Sequence, residues 1–133
     1  MGLDMYAWAI DPKKVKCLED IGAQFHPSSE GEEYKPEELF YWRKHHDLHG
    51  YFENLYRERG GDDEFNCVKL RLYETDLDKL EQDVINKKLP ETTGFFFGDQ
   101  PVTDEDVEND LLFIAKARQA IKEGKAVFYD SWW

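Results

Sequence analysis

A chain of 133 residues, 41% apolar and 15% aromatic, can build one hydrophobic core but is too short for two domains. Seventeen basic residues against 29 acidic ones leave a formal charge of −12, which repels phosphate backbones and anionic lipid and so disfavours ordinary nucleic-acid and anionic-membrane binding. No apolar run reaches the roughly 20 residues of a membrane span, the start Met1-Gly-Leu-Asp-Met-Tyr6 lacks a basic n-region, and Cys17 and Cys67 are too few for a disulfide framework. These features predict one cytoplasmic domain over residues 1–133.

Residues 3–10 mix aromatic and apolar groups and stop at Asp11-Pro12, the pattern of a mostly buried strand closed by a turn. Residues 12–36, with Pro27-Ser-Ser-Glu-Gly31 and the acids Glu30, Glu32 and Glu33, read as a long surface excursion holding one strand or short turn near Ile21 to His26. Pro36-Glu37-Glu38 then resembles a helix start. Leu39, Trp42, His46, His49, Phe52 or Glu53, and Tyr56 recur every three or four positions, beside a second row of Tyr41, His45, Leu48, Phe52 and Leu55. This spacing predicts a helix over 37–59, interrupted or not at Gly50 and ended by Gly60-Gly61.

Residues 65–73 alternate Val68, Leu70 and Leu72 with Lys69 and Arg71, a half-exposed strand. Thr75-Asp-Leu-Asp78 opens a second helix with Leu77, Leu80, Val84 and Ile85 as its apolar positions. Gly94-Phe-Phe-Phe-Gly98 is an aromatic loop. Thr103-Asp-Glu-Asp106 caps a third helix whose inner side is read as Val107, Leu111, Ile114 or Ala115, Arg118 and Ile121, ending at Gly124. Residues 126–132 close the chain as an apolar strand. The order β–α–β–α–α–β predicts an α+β domain: a small sheet including both terminal strands, paired at its centre and packed against about three helices.

The candidate chemistry centres on Trp42-Arg-Lys-His-His-Asp-Leu-His-Gly50. His45 and His49 stand i,i+4 on a helix and can share a metal ion, with Cys67, Asp47 or His26 as third ligand; no second spaced pair completes such a site, so no cofactor is assigned. The alternative is a histidine hydrogen-bonded in the core beside solvated neighbours. Arg43 and Lys44 can receive a carboxylate or phosphate, or pair with local acids. The glycine-flanked aromatics lack the Lys-Ser/Thr of a phosphate loop and suit either core packing or a wall for a flat ligand. If a polar pocket exists, Arg43, His49 and the loop with Phe96 are expected to form it, with His49 titrating near neutral pH. Asp99, Asp104, Glu105, Asp106, Glu108 and Asp110 form a block without a basic residue. It serves helix-start electrostatics and solubility, or faces a basic partner, and its charges are expected to point outward.

Six motifs in order, Met1-Gly-Leu-Asp-Met-Tyr6, Tyr41-Trp-Arg-Lys44 with Leu48-His-Gly50, Phe65-Asn-Cys67, Thr92-Thr-Gly-Phe-Phe-Phe-Gly98, Asp110-Leu111 and Tyr129-Asp-Ser-Trp-Trp133, resemble an uncharacterised family of small bacterial and tailed-phage proteins. The resemblance runs from end to end. Some members carry a phosphoglycerate-kinase label, which does not transfer, because 133 residues without a phosphate loop cannot supply two substrate-binding lobes. The matching residues Trp42, Arg43, Lys44, His49, Phe96 and Trp132 are polar or aromatic, and the first five are the ligand-binding candidates. Two functional classes follow: an acidic accessory protein that binds a basic protein partner or a small anion, and a small enzyme with a His/Arg site around His49, metal-assisted or not.

Overall fold

Both ends of the chain meet at the centre of a four-stranded antiparallel sheet. The computed structural model describes residues 3–15, 19–22, 35–43, 45–89 and 103–132. Its elements are β1 (Asp4–Ile10), β2 (Glu37–Arg43), α1 (His46–Glu58), β3 (Leu70–Leu72), α2 (Glu74–Ile85), α3 (Asp104–Lys122) and β4 (Ala126–Trp132). The sheet order is β2-β1-β4-β3. β1 and β4 pair along their whole length, Asp4 facing Trp132 and Ile10 facing Ala126. The expected α+β domain with paired terminal strands is what the chain forms.

Alternation along the strands sorts their side chains onto two faces. Met5, Ala7, Ala9, Trp42, Leu70, Leu72, Val127 and Tyr129 pack with Leu48, Phe52 and Tyr56 of α1, Leu77, Leu80 and Val84 of α2 and Phe113, Ile114 and Ala117 of α3. That helix-covered face is the main core. On the other face Ile10, Val15, Ala126 and Phe128 make a smaller cluster against Trp8.

The expected helix over 37–59 is corrected to a strand followed by a shorter helix. Phe40, Tyr41 and Trp42 are consecutive aromatics, a composition that suits a pleated surface, and alternation gives each ring its own neighbours. Trp42 meets Phe113 edge-on at 4.8 Å, while Tyr41 on the opposite face meets Tyr6 at 5.3 Å. Pro36 stands just before β2, where its missing N–H takes nothing from the ladder. The register slips between Ala7 and Trp8, a bulge that discourages further pairing at this edge. α1 passes through buried Gly50 unbroken. It ends as expected at Gly60, whose φ of 94° lies in the left-handed region that glycine adopts freely.

The strand expected over 65–73 is shortened to three residues. Cys67 sits at φ 60° and gives its N–H to the Ser131 carbonyl at 2.7 Å, so the chain before β3 is irregular while the Phe65 ring still enters the core. Ile21 bridges Leu70, which leaves one bridge where a strand or turn was expected; residues 23–26 lie outside the described ones. α2 buries Leu77, Leu80 and Val84 as read, but Ile85 is exposed. In α3 the Thr103 hydroxyl accepts from the Asp106 N–H at 3.2 Å, and Asp106 accepts from the Thr103 N–H at 2.9 Å, the expected capping box. Its buried stripe is rotated from the expected one: Asp110, Phe113, Ile114, Ala117 and Ala120 face inward, with Val107, Leu111 and Ile121 on the flanks. Arg118 leaves the core to bond Asp78 at 2.7 Å and Glu81 at 2.5 Å on α2. Among the described residues no helix is long and apolar enough to cross a membrane.

Candidate functional site

Asp110 is the residue around which the polar interior is built. It reaches the core because α3 presents positions 110, 113, 114 and 117 on one stripe, and a carboxylate in that row has to be buried with partners. Its Oδ1 accepts from Trp42 Nε1 at 3.2 Å, and its Oδ2 lies 2.7 Å from His45 Nε2. One fully buried carboxylate thus ties the end of β2 and the start of α1 to the middle of α3. Burial raises the Asp110 pKa, and the bonds from His45 and Trp42 act against that rise. The expectation that every acid of the 99–110 block points outward is therefore corrected at Asp110; Asp104, Glu105 and Glu108 are exposed, and Asp99 lies outside the described residues.

One turn along α1, His46 and His49 are also buried. His49 Nδ1 lies 2.6 Å from the Tyr129 hydroxyl, and its ring stacks on Phe65 at 5.1 Å. Burial, with the charge of His46 as a smaller cause, lowers the His49 pKa to about 4. Burial pushes the Tyr129 hydroxyl well up, so both members of this pair are neutral at pH 7. The expectation that His49 titrates near neutrality is overturned, since a ring with 1% exposure has lost the water that would stabilise its cation.

A pH dependence follows, and its sign is fixed. The unfolded chain, with His49 near 6.5, binds a proton that the folded chain refuses down to about 4. Stability from this group is complete above 6.5 and is lost as pH falls toward 4, by roughly 3 kcal/mol at 1.36 kcal/mol per pH unit. Asp110 and Asp130, both raised by burial, act in the opposite sense. Comparison with His49→Gln, which keeps those carboxylates, isolates the histidine. Urea unfolding at pH 7 and pH 4 should show the wild type losing roughly 3 kcal/mol more than the variant; equal losses would contradict the assignment.

Among the described candidates, Arg43 does not reach His49. Arg43 is exposed and, one residue along β2 from inward-facing Trp42, lies on the opposite face beside Asp4. The expected pocket of Arg43 with His49 is thus divided by the sheet. Lys44 and the loop of 92–98 with Phe96 lie outside the described residues, as do Cys17 and His26. His45 and His49 turn to different partners, and among the described residues no group of three His, Cys, Asp or Glu side chains could hold a metal ion. The described clefts also avoid the histidines. One of about 310 Å³ lies between α1 and α2 by Tyr51, Glu58 and Asp83, and one of about 440 Å³ lies between β2 and α3 by Leu39, Lys116 and Gln119.

The sheet face away from the helices has a different character. Its grid runs Arg43, Asp4, Trp132 in one row, Tyr41, Tyr6, Asp130 in the next, and Glu38, Trp8, Phe128, Arg71 in a third. Tyr6 stacks on Trp8 at 5.6 Å and meets Tyr41 at 51°. The Tyr41 hydroxyl donates to Asp4 at 2.5 Å. Tyr41 is 45% and Trp132 66% exposed. The Tyr6 hydroxyl is raised by burial and then by the surrounding Asp4, Glu38 and Asp130. Sequence reasoning missed this face, although the period-two row Asp4, Tyr6, Trp8 was its signal. Comparison with protein-family models, curated proteins and solved structures gives no match for this chain.

Proposed function

We propose that the chain is a small acidic accessory protein of the cytoplasm, of bacterial or phage origin by its sequence resemblance, that acts by binding a basic protein. The observation that carries this reading is the division of its polar groups. His45, His49 and Asp110, which could do acid–base chemistry, are buried and bonded to core side chains, whereas exposed acids and exposed aromatics supply the surface. Arg43 stands apart from His49, so the small-anion version has less support. The alternative of an enzyme around His49 has less support too, because a ring with 1% exposure offers a substrate no access and a pKa of about 4 makes it a weak base.

Acids at the start of α3 would steer such a partner, and steering is screened over about 8 Å at physiological salt. Asp104→Asn, Glu105→Gln and Glu108→Gln together spare the Asp106 cap and leave folding nearly intact, because exposed charges contribute little. Partners captured from a bacterial lysate, identified and then purified, should be basic proteins. Their association rate should fall several-fold in the triple variant and about tenfold between 50 and 300 mM salt. Partners that are acidic, or that associate at the same rate at both salt concentrations, would refute the reading.

A further inference from the structure

We infer that the Asp4–Tyr6 end of the sheet face away from the helices is the gripping site for this partner and that it takes an arginine-bearing segment, its guanidinium held against the Tyr6, Tyr41 and Trp132 rings and beside the Asp4 and Asp130 carboxylates. The inference rests on the reading of the chain as a binder of basic protein and supplies its location and chemistry.

Three features converge here. First, two of the rings are exposed and the third is half-buried: Tyr41 meets the half-buried Tyr6 at 51° with centroids 5.3 Å apart, and Trp132 stands beside Asp4 with two thirds of its surface in water. Faces at such an angle receive a flat cation, which aromatic quadrupoles attract. Second, the register puts carboxylates beside the central ring, with Asp130 directly opposite Tyr6 and Asp4 two residues along the same strand. Third, these side chains project from β1, β2 and β4, so the site stands on paired strands whose spacing is fixed by the ladder.

Among the described residues this face carries cations of its own, one of them directly opposite Asp4. Arg43 ends β2, Arg71 lies over the Tyr73 ring at 4.8 Å, and Lys69 reaches Asp130 at 3.7 Å. An incoming guanidinium competes with Lys69 for one oxygen of Asp130, and its planar fork suits a carboxylate better than a single ammonium does. The same aromatics could stack nucleic-acid bases, but three carboxylates around Tyr6 repel a phosphate chain.

Steering and gripping separate kinetically: distant charges set the on-rate, desolvated contacts the off-rate. The test titrates the full-length chain with a ten-residue alternating Arg-Gly peptide, its Lys-Gly counterpart and oligothymidine at 150 mM salt. Dissociation rates and the indole N–H signals of the tryptophans are recorded. The Arg peptide should leave more slowly than the Lys peptide and should move the Trp132 signal while Trp42, bonded to Asp110, stays still. Tyr41→Ala and Trp132→Ala should each speed its dissociation about tenfold. Asp130→Asn should do the same; if it does not fold, the two exposed aromatics carry the test. The α3 triple variant should keep the dissociation rate within about twofold. Unchanged dissociation in Tyr41→Ala and Trp132→Ala, equal or longer retention of the Lys peptide, or a preference for oligothymidine would overturn the inference. Arg-peptide binding that depends on the α3 acids alone would overturn it while leaving the proposed function standing. Absence of binding by either peptide at 50 mM salt would remove both.

Discussion

Removing the chain from Tyr129 onward should abolish cooperative folding. Tyr129 is fully buried, with its ring 4.2 Å from Phe52, 5.8 Å from Phe65 and 5.9 Å from His49, and its hydroxyl bonded to that histidine. β4 lies between β1 and β3, so its loss strips hydrogen-bond partners from Asp4 to Ala7 on one side and from Leu70 on the other. Truncating a buried aromatic of this size costs about 3–5 kcal/mol, against a total stability of roughly 5–15 kcal/mol for such a domain. Tyr129→Ala should therefore leave the chain marginal, and the longer deletion should leave no urea transition in the far-ultraviolet dichroism. Tyr129→Phe keeps the ring and withdraws only the hydroxyl from His49, for a loss of about 1–2 kcal/mol. A deletion variant with a normal sigmoidal transition would show that β4 is dispensable to the core.

The strands that this deletion would part were legible because each combines a long apolar and aromatic run with a clear ending, and neither could stay exposed. α2 and α3 were legible for local reasons. Leu77, Leu80 and Val84 keep helical spacing, and Thr103 with Asp106 forms a cap whose chemistry is complete within four residues. β2 was misread because Leu39, Trp42 and His46 happen to fall at helical intervals. Choosing between periods of 2 and 3.6 there depends on β1, whose Met5 and Tyr6 give Trp42 and Tyr41 their neighbours on opposite faces. That information lies some 35 residues away. Asp110 was misread for a related reason: amid six acids, nothing local marks the one that α3 turns inward. Only the alignment of 110 with Phe113, Ile114 and Ala117 hints at it. The histidine-bearing segment stands out in the sequence for its clustered imidazoles, whereas what distinguishes it in the structure is burial, which lowers the His49 pKa to about 4.

Asp110→Ala should be among the most destabilising substitutions of a surface-type residue in the chain, at about 2–5 kcal/mol, because it removes a buried carboxyl and leaves the Trp42 indole and the His45 ring without their partner. Trp42 Nε1 at 3.2 Å and His45 Nε2 at 2.7 Å both lose their acceptor, in a site with no exposure at Asp110 and almost none at His45. Each buried donor left unmet costs about 1–3 kcal/mol, so the two together account for the loss. Asp110→Asn preserves shape and one carbonyl oxygen but turns an NH2 toward the second donor, and it should fall about 1–3 kcal/mol below the wild type. Glu108→Gln is the matched control from the same acidic block, exposed and expected to shift stability by less than about 0.5 kcal/mol. Coupling provides the sharper check. In a cycle with His45→Ala, the double variant should be more stable than the sum of single losses predicts by at least about 1 kcal/mol, because whichever partner goes first already breaks the shared bond. Urea titrations of these variants at pH 7 measure every quantity. Additive losses, or an Asp110→Ala variant that unfolds no more easily than Glu108→Gln, would mean that the carboxylate does not hold β2, α1 and α3 together.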